Sequence, residues 1–482
     1  MRKFSHLWLF LTVFLFSASL MANSPQFANN QILVKFKADT VSTLDMNILM
    51  DELHVLKLEH LQLVSTLKIV TVEKEELEKT LNKFRALPFV EYAEPNHFIY
   101  LRKNDDDDDD DDKDDPDWPF PFPPPGDGEF PWPIPWPPDD GDFPWPFPTP
   151  PGGGDQEDPK PLEPPSAFEP APDTDLEKSW GIGKVGAPKA WKIHAGTQEI
   201  IVGIVDTGID YNHEDLVHNL YRNPNEIPDN DIDDDQNGFV DDVFGWDFVH
   251  NDALPYDDHS HGTHVAGTIG ATGNNGLGVS GVIQKVRIMG VKAFDSQGQG
   301  DDATAIKALE YAIQQGARVI NNSWGDYAYS KALEDVIIAA GEKGIVVVCA
   351  AGNESNNNDS KPLYPAGFNQ PHVIAVAAST DEDGKAFFSN TGKESVHVAA
   401  PGTSIYSTMP ENKYGEMDGT SMASPHVAGA AALILSFAPD LTPLKVRELL
   451  METVDPLEAF KNKVISGGRI NVHKALTKLK KN

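Results

Sequence analysis

The stretch that decides the fold reads Ile200-Ile201-Val202-Gly203-Ile204-Val205-Asp206-Thr207-Gly208. Its apolar part does not alternate with polar residues, which is typical of a strand buried on both faces of a sheet. A carboxylate, Asp206, follows the run directly. In open sheets of this kind, ligands and chemistry gather at the carboxyl ends of the strands. We therefore expect Asp206 at a functional edge of a buried sheet.

Similar apolar runs recur towards the C-terminus, separated by stretches with helical spacing. Further strands are predicted at Val286–Val291, Val319–Asn321, Ile345–Ala350 and Val373–Ala377, and helices at Ala303–Gln315, Leu333–Gly341, Met422–Phe437 and Pro443–Thr453. Strands that alternate with helices predict an α/β fold, in which helices cover both faces of a doubly wound, mostly parallel sheet.

Two other segments complete a set of reactive side chains. They read His261-Gly262-Thr263-His264-Val265-Ala266-Gly267 and Gly419-Thr420-Ser421-Met422-Ala423-Ser424-Pro425. Ser421 opens an apolar helix, where unpaired backbone N–H groups and the helix dipole favour a developing negative charge. A nucleophile, a base and an orienting carboxylate are what acyl transfer needs.

A metal site is the rival interpretation of this region, because three histidines, His259, His261 and His264, lie close together in the sequence. However, no glutamate follows in an H-E-x-x-H pattern, which zinc proteases use. His264 fits better as a packed helix residue.

The three segments resemble the subtilisin-like serine proteases, or subtilases, whose chain order is also Asp, His, Ser. The resemblance implies that Ser421 attacks a peptide carbonyl, that His261 acts as general base, and that Asp206 orients His261. It also implies that Asn353, in Ala350-Ala351-Gly352-Asn353, stabilises the oxyanion together with the backbone N–H of Ser421.

Substrate is expected to bind as an extended strand, with side-chain pockets supplying specificity. The resemblance implies that Ser323-Trp324-Gly325 forms one flanking strand and Gly298-Gln299-Gly300 the other. The first pocket would lie between Ser323-Trp324-Gly325 and Ala350-Ala351-Gly352, with Glu354 at its rim. Subtilases generally have a small residue where Leu363 falls, so the pocket is expected to be narrower here.

Two calcium sites are expected, the first by resemblance. Gly273-Asn274-Asn275-Gly276-Leu277-Gly278-Val279 resembles the calcium loop of the family. Asn275 would offer its side chain, Gly273, Leu277 and Val279 their carbonyls, and Asp215 a bidentate carboxylate. The ligand that the family takes from near the mature N-terminus has no clear match; Asp175 or Leu176 falls there.

The second expected calcium site is an acidic loop with a glycine for a tight turn. Its alternating oxygen side chains resemble the front half of an EF-hand, although glutamate is missing at the twelfth position. The ligands would be Asp231, Asp233, Asp235, Asn237 and Asp241. The alternative is a plain acidic surface loop.

The N-terminal part divides into three segments. Residues 1–22 have a basic start, an apolar centre and a small residue for cleavage, as a secretory signal peptide does. Residues 24–101 are predicted to fold as a small α+β sandwich, strand–helix–strand–helix–strand, which resembles the inhibitory prodomain of subtilases. Residues 102–175 combine a run of eight aspartates, Asp105 to Asp112, with alternating proline and aromatic residues. Such a composition favours a disordered, stiff spacer before the peptidase domain at 176–478; a calcium-binding or adhesive role is the alternative.

Composition narrows the function further. The net charge of −35 argues against nucleic acid as a partner. The single cysteine, Cys349, cannot form an intramolecular disulfide and is expected in the core. No stretch after the signal peptide is long and apolar enough for a membrane anchor, and only a short basic tail, Lys478 to Asn482, is expected at the C-terminus.

These observations predict a secreted serine endopeptidase, made as a zymogen, inhibited by its own prodomain and stabilised by Ca²⁺. We expect a monomer that acts on proteins or peptides. The alternative is an inactive secreted binding protein on the same scaffold.

Overall fold

The computed structural model describes residues 27–38, 43–101, 158–161 and 168–481. The predicted signal peptide and most of the predicted linker, 102–175, lie outside these residues. The described chain forms a small N-terminal unit, residues 27–101, and a large C-terminal unit, residues 168–481.

A nine-stranded sheet organises the C-terminal unit, in the strand order β15-β16-β12-β11-β10-β9-β5-β7-β6. The pairs from β6 to β16 are parallel, and only β15 runs antiparallel to its neighbour. In chain order the elements are α3 (Trp180–Lys184), α4 (Ala187–Ala190), β5 (Gly196–Asp206), β6 (Gly245–Asp247), α5 (His261–Gly270), β7 (Lys285–Lys292), β8 (Gln299–Asp301), α6 (Asp302–Gln314), β9 (Val319–Asn322), α7 (Lys331–Glu342), β10 (Val346–Ala350), β11 (Val373–Ser379), β12 (Val398–Pro401), β13 (Ile405–Met409), β14 (Lys413–Met417), α8 (Thr420–Phe437), α9 (Pro443–Glu452), β15 (Asp455–Pro456), β16 (Gly468–Arg469) and α10 (Val472–Lys481).

Both faces of the sheet are buried, as the unbroken apolar runs predict. Successive residues of one strand, Ile204 and Val205, pack into two different apolar clusters. The first cluster includes Val427 of α8, and the second includes Ile306 of α6 and Ile337 of α7. The predicted doubly wound, mostly parallel α/β fold is confirmed.

The N-terminal unit is an antiparallel sheet with two helices and an apolar core of its own. Its elements are β1 (Phe27–Phe36), α1 (Thr43–Glu52), β2 (Lys57–His60), β3 (Leu67–Thr71), α2 (Leu77–Ala86) and β4 (Val90–Tyr100). The predicted order strand–helix–strand–helix–strand lacks one strand, because the chain turns after Glu52 and enters β2, which pairs with β3. The sheet continues into the C-terminal unit, since β4 also pairs with β8.

The C-terminal segment differs from the predicted basic tail. Lys478, Lys480 and Lys481 form the last turn of α10, which buries Val472, Ala475 and Leu476 at helical spacing. Cys349 lies fully buried in β10, as expected, and burial raises the pKa of its thiol to about 12.

Among the described residues, α8 is the one helix whose length and composition would allow it to cross a membrane, and 89% of that stretch is buried inside the protein.

Candidate active site

The register of the sheet brings Asp206 and Ser421 to the same edge. Val205 of β5 pairs with Asn322 of β9, so Asp206 and Ser323 leave the sheet side by side. The Ser421 hydroxyl, in the first turn of α8, donates to the carbonyl of Ser323 at 2.8 Å. His261 begins α5, and its Nδ1 lies 2.7 Å from Asp206 Oδ1. The three predicted reactive residues therefore share one edge of the sheet.

The pairing with Asp206 sets the protonation of His261. Because a carboxylate only accepts, Nδ1 carries the proton and Nε2 presents its lone pair. Burial opposes charging of the ring, but the charge of Asp206 and its hydrogen bond outweigh that effect, so the pKa of His261 lies above its usual value. In this arrangement the Ser421 hydroxyl must turn from the Ser323 carbonyl towards His261 before it can give up its proton.

The neighbouring histidines do not form a metal-binding group. His264 is buried, its Nε2 lies 2.6 Å from the carbonyl of Ile405, and burial lowers its pKa to about 3. The His259 ring centre lies 6.2 Å from that of His261. Within the described ranges, the residues grouped closely enough to hold a metal ion include no histidine.

Two hydrogen-bond donors flank an open space beside Ser421. Asn353 Oδ1 accepts from the backbone N–H and the hydroxyl of Thr420, at 2.9 and 2.8 Å, which fixes the orientation of the amide. A methyl group added at Gly419 would lie 3.5 Å from Asn353 Nδ2 and 3.4 Å from Ser421 N. The glycine thus keeps open a site between the two predicted oxyanion donors, where a developing negative charge could be stabilised.

The end of the N-terminal unit lies along the predicted substrate strand Gly298-Gln299-Gly300. Ile99 of β4 pairs with Gly300 of β8, and Leu101 N donates to the carbonyl of Gly298 at 2.8 Å. Gly298 has a positive φ of 69°, and a methyl group there would lie 3.2 Å from Leu101 Cβ and 3.3 Å from His259 Nε2. The paired tail therefore points towards the histidines of the site.

The N-terminal unit also places acceptors at the starts of two helices. Glu94 accepts from Ala332 N at 2.9 Å and from Lys331 N at 3.1 Å at the start of α7. Asn96 Oδ1 accepts from Ala303 N at 3.0 Å at the start of α6. These contacts satisfy backbone N–H groups that a helix leaves unpaired, and the Glu94 carboxylate complements the dipole of α7.

The predicted substrate strand Ser323-Trp324-Gly325 borders the predicted first pocket. Ser323 contacts Ser421, while Trp324 is buried and donates to the carbonyl of Val205 at 3.0 Å. On the other side, Gly352 N donates to Thr420 Oγ1 at 3.0 Å, and Ala351 is buried beside it. Leu363 lies between Gly325 and Gly352, with 1% of its surface exposed.

The first predicted calcium loop surrounds the carboxylate of Asp215 with neutral hydrogen-bond donors. Asp215 is fully buried and accepts from Asn275 Nδ2 at 2.7 Å and Val279 N at 2.9 Å. Burial raises the pKa of Asp215 to about 7, and the charge of Asp173 adds to the effect. Asp173 Oδ1 accepts from Asn275 N at 3.0 Å. Two residues near the predicted start of the peptidase domain thus contact this loop, Asp173 through its carboxylate and Asp175 through its backbone N–H, which donates to the carbonyl of Gly278 at 2.6 Å. Which of them would be a ligand stays a prediction.

The carbonyls of Gly273, Leu277 and Val279 belong to the same loop, and such all-oxygen groups are what Ca²⁺ prefers. A buried pair of carboxylates without a counter-charge, as at Asp173 and Asp215, fits a bound cation. The residues present thus fit the calcium that the loop pattern implies.

The second predicted loop converges on a different set of acids. The carboxylates of Glu226, Asp235 and Asp242 lie within 4.8 Å of one another. Burial raises the pKa of Asp242 to about 6, and Asp235 adds to the effect. Of the predicted ligands, only Asp235 belongs to this group.

The other predicted ligands of that loop make local hydrogen bonds. Asp233 accepts from the backbone N–H groups of Asn237 and Gly238, and Asp241 accepts from that of Asp231. Asn237 Nδ2 donates to Asp242 at 2.9 Å. These contacts shape the loop, and a ligand role for Asp231, Asp233, Asn237 and Asp241 stays a prediction.

Comparison with known proteins identifies the family. The model of the subtilase family matches residues 197–473, which contain Asp206, His261, Asn353 and Ser421. The chain belongs to the subtilase family. The model of the fervidolysin N-terminal prodomain matches residues 18–96 of this subtilase.

Three relatives illustrate the similarity. Thermitase of Thermoactinomyces vulgaris is 37% identical over 299 residues, which cover 62% of this subtilase and 96% of thermitase. A thermophilic serine proteinase of Bacillus sp. (strain AK1) is 38% identical over 288 residues, 60% of this chain and 64% of the relative. Subtilisin-like protease 1 of Plasmodium berghei is 37% identical over 294 residues, 57% of this chain and 49% of the relative. This subtilase thus spans about half the length of the Plasmodium proteins named subtilisin-like protease 1 that it matches.

The sequence did not reveal several residues of this subtilase that the structure brings together. Asp173 meets Asn275 through folding of distant segments, Glu94 meets α7 across two units, and Glu226 and Asp242 join Asp235 from positions next to the predicted loop. The available signal was only that Glu226 precedes the acidic loop and that Asp242 follows it directly.

Proposed function

We propose that this subtilase is a secreted serine endopeptidase, made as a zymogen and stabilised by calcium. The observation that carries the proposal is the common edge on which Asp206, His261, Ser421 and Asn353 meet, beside a strand already paired with an extended peptide. That strand is β8, and the peptide is the prodomain tail of the same chain.

In the proposed reaction, Ser421 Oγ attacks the carbonyl carbon of the scissile peptide bond while its proton passes to His261 Nε2. The carbonyl oxygen becomes negative in the space between Asn353 Nδ2 and Ser421 N, whose N–H groups stabilise it. His261 then gives the proton to the leaving amine, and an acyl-enzyme remains on Ser421. Water, deprotonated by His261, releases the acid, while Asp206 stabilises the positively charged ring.

The prodomain supports the zymogen part of the proposal. Its tail uses the backbone groups of Gly298 and Gly300 that a substrate strand would use. Further contacts hold the unit in place: Lys35 Nζ and the Tyr92 hydroxyl both reach Asp335 Oδ2, at 2.6 and 2.7 Å. A segment anchored in this way would compete with substrate until it is removed.

Calcium would neutralise the buried carboxylates and so stabilise the native fold. Secretion is inferred from residues 1–22 alone, and these lie outside the described residues.

Expression of the full chain, removal of the prodomain and incubation with casein test the proposal. Wild type is expected to release peptides, and Ser421→Ala to lose about ten-thousand- to a million-fold in rate, a range established for subtilisin itself. Ser436→Ala, a serine in the last turn of the same helix, is the matched control and should keep its activity.

A fluorophosphonate probe should label Ser421 in wild type and nothing in Ser421→Ala. Near-wild-type hydrolysis by Ser421→Ala would show that the nucleophile is misassigned. If processed wild type cleaves nothing and resists the probe, the chain is an inactive binding protein on this scaffold.

A further inference from the structure

The pocket next to Ser421 lies between two walls that touch the start of α8. The first wall is Ser323-Trp324-Gly325, and the second is Ala350-Ala351-Gly352. Ser323, at the beginning of one wall, accepts from Ser421 Oγ at 2.8 Å. Gly352, in the other, donates to Thr420 Oγ1 at 3.0 Å. A substrate carbonyl held at Ser421 sends the side chain of its own residue, P1, between these walls. The space between the walls therefore decides which P1 residues fit.

Leu363 occupies that space. A methyl group added at Gly325 would lie 2.8 Å from Leu363 Cδ2, and one added at Gly352 would lie 3.0 Å from the same atom. One leucine methyl thus contacts both walls at once. The backbone beside the leucine is held in place, because its neighbour Tyr364 exchanges two backbone hydrogen bonds with Asp326, at 2.9 and 2.8 Å, at the end of the first wall.

The residues at the rim of the pocket are polar and form hydrogen bonds with one another. Glu354 Oε2 accepts from the Tyr327 hydroxyl at 2.8 Å, from Asn390 Nδ2 at 3.0 Å and from Asn353 N at 3.1 Å. Three donors on one oxygen hold this carboxylate against the protein. The pocket is consequently short, with an apolar floor and a fixed rim.

We infer that Leu363 is a specificity-determining residue, and that it restricts this subtilase to cleavage after small uncharged residues such as alanine and serine. The inference rests on the proposed function and names its substrate class. A phenylalanine, leucine or arginine at P1 would need the volume that the Leu363 side chain fills. Each methylene that does not fit an apolar pocket changes kcat/KM by about 10- to 200-fold.

The test uses processed wild-type enzyme and four peptide anilides, Ala-Ala-Pro-X, with alanine, leucine, phenylalanine or arginine at X. For wild type, we expect kcat/KM for alanine to exceed that for phenylalanine by about 100-fold or more. Leu363→Ala should raise kcat/KM for the phenylalanine peptide by about 10- to 100-fold and leave the alanine peptide within about threefold.

Leu450→Ala is the matched control, since this leucine of α9 is also fully buried but belongs to the core behind α8. It should lower thermal stability without changing the order of preference.

The wild-type series decides the matter even if Leu363→Ala does not fold. Cleavage that favours phenylalanine, leucine or arginine at P1 would overturn this inference alone. An unchanged preference in a folded Leu363→Ala would do the same. Failure of wild type to cleave any of the four peptides, or casein, would overturn the proposed function as well.

Discussion

Two fully buried aspartates of this subtilase, Asp206 and Asp215, differ in what surrounds their charge. Asp206 lies 2.7 Å from a side chain that can become positive, His261. Asp215 receives hydrogen bonds only from neutral groups, Asn275, Val279 and Tyr414, and lies near a second carboxylate, Asp173. The edge of the sheet that holds Asp206 thus contains its own counter-charge, whereas the carboxylates around Asp215 would need one from solution.

This difference predicts that one aspartate affects how function depends on pH and the other how stability depends on a cation. An aspartate with a titratable partner makes function depend on pH, because the partner gains or loses its charge. An aspartate that has neutral donors and also lies near a second buried carboxylate would make stability depend on an external cation. Substitutions at the two positions should therefore give different signatures.

Among the changes that test this comparison, the largest effect is expected for Asp206→Asn. An amide cannot hold His261 in the required tautomer, so kcat should fall about ten-thousand-fold, as the same change does in other serine proteases. His261 must be neutral to act as base, and its raised pKa places the loss of activity on acidification above pH 6.5, the ordinary histidine value. Without the carboxylate the pKa falls, so the residual activity should persist to lower pH.

A pH profile of kcat/KM measures this shift. Asp210→Asn is the control, because Asp210 is also buried but accepts from the backbone N–H groups of Asn212 and Glu411. Asp210→Asn should not change the pH at which kcat/KM falls on acidification. If this pH is the same in Asp206→Asn and in wild type, the pairing of Asp206 with His261 is contradicted.

A smaller effect, on stability, is expected when calcium is removed. A cation that binds only the native state stabilises it by about 2.7 kcal/mol at a hundredfold excess over Kd. EDTA should therefore lower the melting temperature by roughly 5–10 °C, and Ca²⁺ should restore it better than Mg²⁺, which prefers tight octahedral sites. Differential scanning calorimetry with and without chelator measures both.

Substitutions show which of the two predicted calcium loops causes this change in melting temperature. Asn275→Ala, Asp215→Ala and Asp173→Ala should each reduce the calcium response, and Glu226→Gln should reduce it more than Asp231→Asn if the second acidic group also binds a cation. The exposed Asp440 supplies the control, as Asp440→Ala. A melting curve that does not respond to chelation would reject both calcium assignments.

The smallest effect concerns a third carboxylate, Glu94, whose charge is compensated by backbone N–H groups of another unit. The segment 24–101 is expected to inhibit the processed enzyme. Glu94→Gln keeps the hydrogen-bonding shape but removes the charge at the start of α7, so the inhibition constant should rise about tenfold. Glu78→Gln, an exposed first-turn substitution on α2, should not change it. Equal inhibition by both variants would show that charge is not needed at this interface.

Features that depend on local sequence were predictable, and those that depend on long-range contact were not. The ends of β5 and β9 followed from unbroken apolar runs, and Ser421 at a helix start followed from the Gly-Thr turn before it. By contrast, the hairpin of β13 and β14 carries no strong apolar pattern, and Lys478 belongs to a helix because α10 packs its apolar side against the core. Asp173 reaches Asn275 only after distant segments come together, so no local pattern marks it.

The pairing of β4 with β8 means that, before maturation, the predicted substrate-binding strand is the last strand of a five-stranded sheet and is paired along one side with the prodomain. Removal of the prodomain would take away the partner of this strand and leave unpaired N–H and C=O groups, which favour pairing with another chain. The mature protein would thus expose one unpaired strand, which is only three residues long, Gln299–Asp301. Each bound substrate would pair with this strand, and release of the cleaved peptides would leave the strand unpaired again.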